Sequence, residues 1–127
     1  MRDLAYRLYL AALQANLAVR HRLFQVFLSM RKSRMSGADL SYLDLSGYNL
    51  SQANLRGANL ARSDLRDTDL REANLVEANL RAAILHGADL SGAQLTGANV
   101  TAAQLAQARS LEGTTLPDGT VTIHVST

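Results

Sequence analysis

The chain has 127 residues, 47% of them hydrophobic, 19% charged and 5% aromatic, which fits one globular or solenoid domain and argues against wholesale disorder. It has no cysteine, so disulfides, thiolate metal sites and cysteine nucleophiles are excluded. The net charge of +2 is too small to imply a polyanionic partner, but residues 1–35 hold seven basic groups against one acid and the remainder six arginines against ten acids, a split that marks modules with different jobs.

Residues 1–34 form the first module. From Leu4 to Met30 there is no proline or glycine, which predicts one long amphipathic helix. At about 100° per residue, Leu8, Val19, Leu23, Val26 and Met30 flank one side while Tyr6, Tyr9, Leu10, Leu13, Leu17, Phe24, Phe27 and Leu28 fill the other. Arg7, Gln14, His21 and Gln25 make a narrow polar stripe between them. The apolar arc spans more than half of the helix, so another surface has to cover it. Self-association or docking to a partner protein is the leading reading; a membrane-surface anchor and a cleaved signal peptide are the alternatives. The longest uncharged stretch, Leu8 to Val19, is twelve residues and too short to span a bilayer. No small-x-small cleavage site follows it. Arg31, Lys32 and Arg34 suit a helix C-terminus electrostatically, and on an amphipathic helix they also suit anionic lipid.

Residues 35–107 repeat with a period of five. Leucine stands at 40, 45, 50, 55, 60, 65, 70, 75, 80, 85, 90 and 95, followed by Val100 and Leu105, with Met35 in register one pentad earlier. Two places before each centre sits a small residue: Ala38, Ala53, Ala58, Ser63, Thr68, Ala73, Ala78, Ala83, Ala88, Ala93, Ala98 and Ala103, with Leu43 and Tyr48 as bulky exceptions. A five-residue period matches neither the 3.6 of a helix nor the 2.0 of a strand. It requires a chain that turns a corner every five residues, with the centre and the small residue inward and the other three outward. Leu40, Leu45, Leu50, Leu55, Leu60, Leu65, Leu70, Leu75, Leu80, Leu85, Leu90, Leu95, Val100 and Leu105 are therefore the expected core.

These units closely resemble the pentapeptide-repeat family, whose A-[D/N]-L-x-x motif appears as Ala53-Asn54-Leu55, Ala58-Asn59-Leu60, Ala73-Asn74-Leu75, Ala78-Asn79-Leu80 and Ala88-Asp89-Leu90. The resemblance covers residues 38–107. It implies an all-β solenoid, a right-handed, four-sided parallel β-helix with four pentads per coil, in which Leu40, Leu60, Leu80 and Val100 form one column. Fourteen pentads then make 3.5 coils and a stack about 17 Å long. Glycines 37, 47, 57, 87, 92 and 97 are read as corner geometry, and Asp39, Asn59, Asn79 and Asn99 as turn-bonding residues or a stacked ladder. The bulk of Leu43 and Tyr48, with Met35 beside them, is expected to meet the C-terminal half of the helix, where Phe24, Phe27 and Leu28 would cap the first coil.

Residues 108–127 form the last module. Leu111 and Leu116 are five apart but one residue out of register, so a slip is expected after Ala108. Leu116-Pro117-Asp118-Gly119 has turn chemistry. Val121, Ile123 and Val125 alternate with Thr122, His124 and Ser126, the pattern of a half-buried strand that caps the last coil or pairs with another chain.

The residues point away from catalysis. His21, His86 and His124 fall in three different modules, and no P-loop, H-E-x-x-H, G-x-S-x-G or G-x-G-x-x-G is present. Asp64, Asp67 and Asp69 lie among Arg62, Arg66 and Arg71, which reads as a mixed-charge solvated face and not a cation site. No cofactor, metal or enzymatic activity is expected. The leading function is a non-enzymatic interaction or scaffold module, a homo-oligomer built through residues 1–32 with a further protein partner, in the cytoplasm or peripheral to a membrane. The resemblance supplies an alternative: some members mimic duplex DNA and bind DNA gyrase or topoisomerase. Against it, Arg56, Arg62, Arg66, Arg71 and Arg81 interrupt any acidic stripe, and the stack is half of the roughly 34 Å of one DNA turn. A membrane-anchored solenoid is the third reading; direct nucleic-acid binding ranks below it, because a mostly apolar helix suits phosphate tracking poorly.

Overall fold

A computed structural model describes residues 32–123. The long helix expected over residues 1–34 lies outside them except for Lys32–Arg34, a single 3₁₀ turn.

Each pentad closes a corner by a short backbone bond: the N–H of the small inward residue donates to the carbonyl of the preceding centre, as from Ala58 to Leu55 (2.9 Å) and from Ala73 to Leu70 (3.1 Å). The residue before each centre links successive coils. Asn79 donates its N–H to Ala58 O (2.9 Å) and accepts from Leu60 N (2.7 Å), so its backbone is satisfied across the stack. Its side chain holds the next bend, since Asn79 Oδ1 accepts the N–H of Arg81 at 3.0 Å. That Asx geometry recurs at Asn59, Asp64, Asp69 and Asn74 and explains the preference for Asn and Asp there.

The parallel bridges fall into four columns: Asp39–Asn59–Asn79–Asn99, Asp44–Asp64–Ile84, Asn49–Asp69–Asp89–Ser110 and Asn54–Asn74–Gln94–Thr115. They define the first, second, third and fourth sides of a four-sided coil. Up to Asn99 every rung is twenty residues long, so Leu40, Leu60, Leu80 and Val100 share a column.

The leucines from Leu45 to Leu95 are fully buried, and Met35, Leu40 and Leu105 are buried with them. The inward alanines leave room for this column, and where the small residue is polar its hydroxyl finds a carbonyl. Ser63 Oγ donates to Leu60 O (2.7 Å), Thr68 Oγ1 to Leu45 O (2.8 Å) and Thr114 Oγ1 to Leu90 O (2.7 Å), which satisfies three polar groups inside an apolar core.

The repeat ends earlier than its spelling suggests. After Val100, itself only half-buried, the chain leaves the ladder and forms the short helix α1 (Ala102–Leu105), capped by Thr101 and Gln104 in a reciprocal capping box. Ala103, expected inward, is exposed. Bridging resumes with Asp89 to Ser110 and Gln94 to Thr115, each twenty-one residues apart. Arg109 N still donates to Ala88 O over the regular twenty-one residues, as Asn99 N does to Ala78 O, whereas Leu90 N reaches Ser110 O over twenty instead of nineteen. The extra residue therefore enters at Arg109–Ser110, after Ala108 as the leucine spacing predicts. Around α1 a side chain replaces the ladder: Gln104 Nε2 donates to Leu80 O (2.7 Å) and Ala83 O (2.9 Å), taking the place of the backbone donor that Ala83 O lacks.

The terminal strand also differs from its alternation. The turn at Pro117-Asp118-Gly119 reverses the chain, closed by Gly119 N to Leu116 O (2.8 Å) and Leu116 N to Thr120 O (2.7 Å), and Val121 pairs antiparallel with Thr115. Val121 and Ile123 are 57% and 79% exposed, and Thr122 is the half-buried residue. Its hydroxyl donates to Leu111 O, a bond no valine could make.

Candidate interaction surface

The core residues carry no chemistry outward, so any site lies on the four sides or at the two ends. At the first end, Met35 and Tyr48 are buried and Leu43 is half-buried. Burial pushes the Tyr48 phenol up, and the charge of Asp44 adds to it. The expected interface residues Tyr6, Tyr9, Leu10, Leu13, Leu17, Phe24, Phe27 and Leu28 lie outside the described residues, as do His21 and His124.

The second and third sides are acidic but internally compensated. Arg66 grips Asp64 in a fork, Nε to Oδ1 at 2.9 Å and Nη2 to Oδ2 at 2.6 Å. Arg71 does the same to Asp69 at 2.9 and 2.8 Å. The guanidinium hydrogen bonds hold both carboxyls below their ordinary value. Arg109 approaches Asp89 at 3.4 Å, and Lys32 Nζ donates to Asn49 Oδ1 at 2.9 Å. A shallow cleft of about 270 Å³ opens between these pairs, over Gly87. On the fourth side Arg56 stands 3.8 Å from Glu77. Among the described residues no group of three His, Asp or Glu side chains is placed to hold a metal ion, and no helix is long and apolar enough to cross a membrane.

The first side is different. Its one acid, Asp39, is occupied by the hydroxyl (2.7 Å) and N–H (3.1 Å) of Ser41, which keep its carboxyl below the ordinary value. Its two arginines, Arg62 and Arg81, have no carboxylate within ion-pair distance among the described residues. The guanidinium of Arg62 instead lies 5.8 Å from the ring centroid of Tyr42, within cation–π range. Tyr42 is 73% exposed. The twenty-residue coil implied by the resemblance puts 42 beside 62, but sequence reading applied it to the leucines and the Asp/Asn ladder and not to these outward positions.

Residues 33–71 and 73–109 match a family model described as pentapeptide repeats in eight copies. No curated protein matches the chain. Among solved structures, a pentapeptide repeat protein of the Arabidopsis thaliana thylakoid lumen is 26% identical over 65% of this chain and 63% of that one, with a TM-score of 0.36. HetL, a pentapeptide repeat protein involved in heterocyst differentiation regulation in the cyanobacterium Nostoc, is 40% identical over 68% of this chain and 40% of its own, with a TM-score of 0.32. Another Nostoc pentapeptide repeat protein is 35% identical over 76% and 74%, with a TM-score of 0.38. The chain thus spans less than two thirds of the length of the first two.

Proposed function

Because the chain belongs to the pentapeptide-repeat family, whose members are right-handed β-helices serving typically as structural or interaction modules, we propose that it is a non-enzymatic interaction module that self-associates through its N-terminal segment. The observation that carries the reading is the division of labour along the chain. The coils bury their leucines among themselves, whereas the sequence of residues 1–32 offers an apolar arc wider than one coil end can cover. Buried apolar surface is the dominant drive for association, so that arc meets a second copy of the chain. In this reading Leu43, Tyr48 and Met35 form the junction between the helix and the first coil.

Duplex mimicry is the weaker reading, because the carboxylates of Asp64 and Asp69 are neutralised by Arg66 and Arg71 where an acidic stripe would have to run. The test is sedimentation of the full-length chain and of its Leu13→Glu/Leu17→Glu variant. The native chain should sediment as an oligomer and the variant as a smaller species with an unchanged far-ultraviolet spectrum from the coils. Identical sedimentation of the two would remove residues 1–32 as the assembly element.

A further inference from the structure

Resting on the reading of the chain as an interaction module, we propose that the first side of the coil docks an acidic, extended segment of a partner protein, with Arg62 and Arg81 receiving its carboxylates against the exposed ring of Tyr42.

Three independent features single out this side. The first is like-charge adjacency. Arg62 N donates to Arg81 O at 2.9 Å, so two arginines are direct backbone neighbours on successive coils, and cross-strand neighbours of like charge repel. At the same register on the other corners, Asp67 faces His86, Gln52 faces Arg71, Glu72 faces Ser91 and Glu77 faces Thr96; none of these sets two like charges together. The other arginines of the coils from Arg56 to Arg109 stand near a carboxylate. Arg62 and Arg81 are the pair left to seek an anion elsewhere.

The second feature is backbone strain. The corner of the first side is formed by Tyr42, Arg62 and Ala82, at φ of 62°, 60° and 59°, and it contains no glycine. The other three corners also hold side chains there, Asp67, Gln52 with Glu72, and Glu77, at φ of 57–60°, but each adds at least two glycines in the same conformation, so only the first side lacks any relief. A bulky side chain at positive φ is costly, and strain of this kind collects where side chains are displayed for function. Tyr42 and Arg62 are held outward at the expense of stability.

The third feature is charge by side. The first side carries Arg62 and Arg81 against Asp39, a net of +1, while the second and third carry −2 each and the fourth, with Arg34 and Arg56 against Glu77 and Asp118, is neutral. An acidic strand laid along the first side is attracted there and repelled by the second side next to it. A nucleic acid is a poor fit, because two cations beside a negative second side cannot neutralise a run of phosphates. An extended peptide is a good one: its alternate side chains lie about 6.8 Å apart, within the reach of two flexible arginines rooted on adjacent coils. The amide ladder, in which Asn99 Nδ2 donates to Asn79 Oδ1 at 3.5 Å, offers flat polar surface beside them.

The test uses the full-length chain and a short fluorescein-labelled peptide alternating glutamate with threonine, read by anisotropy against its glutamine counterpart. The glutamate peptide should bind at least about ten-fold more tightly. Arg62→Gln/Arg81→Gln should abolish that preference, and Arg56→Gln/Arg71→Gln, with the same change in net charge, should keep it. Tyr42→Gly should weaken binding several-fold while raising the urea midpoint, because glycine relieves the corner. Equal affinity for the two peptides, equal loss in both double variants, or tighter binding of a labelled DNA duplex through Arg62 and Arg81 would each overturn the proposal. So would unchanged affinity in Tyr42→Gly. If the peptide fails to bind while sedimentation still responds to Leu13→Glu/Leu17→Glu, the docking surface falls and the interaction module stands. If both fail, the broader reading falls with it.

Discussion

The carboxylate of Asp67 lies over Gly87 so closely that a Cβ at Gly87 would stand 2.1 Å from Asp67 Oδ1. The same relation recurs one and two corners on, where Glu72 Cγ lies 3.2 Å from the Cβ position of Gly92 and Glu77 Cγ 3.4 Å from that of Gly97. Three acidic corner residues of one coil therefore fill the space that three glycines leave open in the next.

Gly87→Ala separates this packing from backbone geometry. Both Gly87 (φ 75°) and Gly57 (φ 67°) are left-handed, but nothing lies within 4 Å of a Cβ at Gly57. Measured by urea denaturation, Gly57→Ala should cost about 1 kcal/mol and Gly87→Ala only slightly more, because the exposed Asp67 carboxylate can swing away from the new methyl. Adding Asp67→Gly to Gly87→Ala should recover most of the difference.

Gln104 is the residue that lets the repeat end. Its amide serves Leu80 O, Ala83 O and the N–H of Thr101. Gln104→Ala should destabilise the chain by about 1–3 kcal/mol, since Ala83 O loses its donor and Leu80 O keeps only Ala83 N. Thr101→Ala removes only the helix cap and should cost about 1 kcal/mol. Amide exchange should speed up in α1 before the central coils in both variants.

Burial grades the core. Leu65→Ala, at a fully buried centre, should cost about 2–5 kcal/mol. Val100→Ala, at a half-buried centre beside α1, should cost less than half as much. Denaturation midpoints of the two variants give the comparison.

Stability should fall in acid. Asp64 and Asp69 are held below 3.8 first by their arginine hydrogen bonds, and Asp39 and Asp118 first by the hydroxyls of Ser41 and Thr120. A carboxyl whose folded value is depressed contributes stability above its unfolded value and loses it as pH falls through the folded one. The urea midpoint should therefore be flat from neutral pH to about 5 and drop below about 4. In Asp64→Asn/Asp69→Asn the drop should be shallower.

The leucine at every fifth position and the small residue two before it announce the core directly, because only a chain cornering every five residues can turn both inward. The twenty-residue coil is not written in that spacing; it comes from how many corners close a turn, which is a property of the backbone. The resemblance supplies it for the leucine column; extended to the outward positions, it also places Tyr42 beside Arg62 and Arg62 beside Arg81. At the far end Ala103 and Leu105 keep the motif's spelling and Leu105 stays buried, but Thr101 and Gln104 form a capping box that turns Ala102–Leu105 into α1, so Ala103 leaves its inward place. Val121 and Ile123 misled for a related reason: a reversed strand places Thr122, whose hydroxyl can reach Leu111 O, against the coil.

The central claim is that the coils stand on an assembly built by the N-terminal segment. Light scattering gives the absolute molar mass of the full-length chain in solution. A mass that is a whole-number multiple of 13.7 kDa, two or more, constant over a range of concentrations, is the expected result. A mass of 13.7 kDa at every concentration would contradict it.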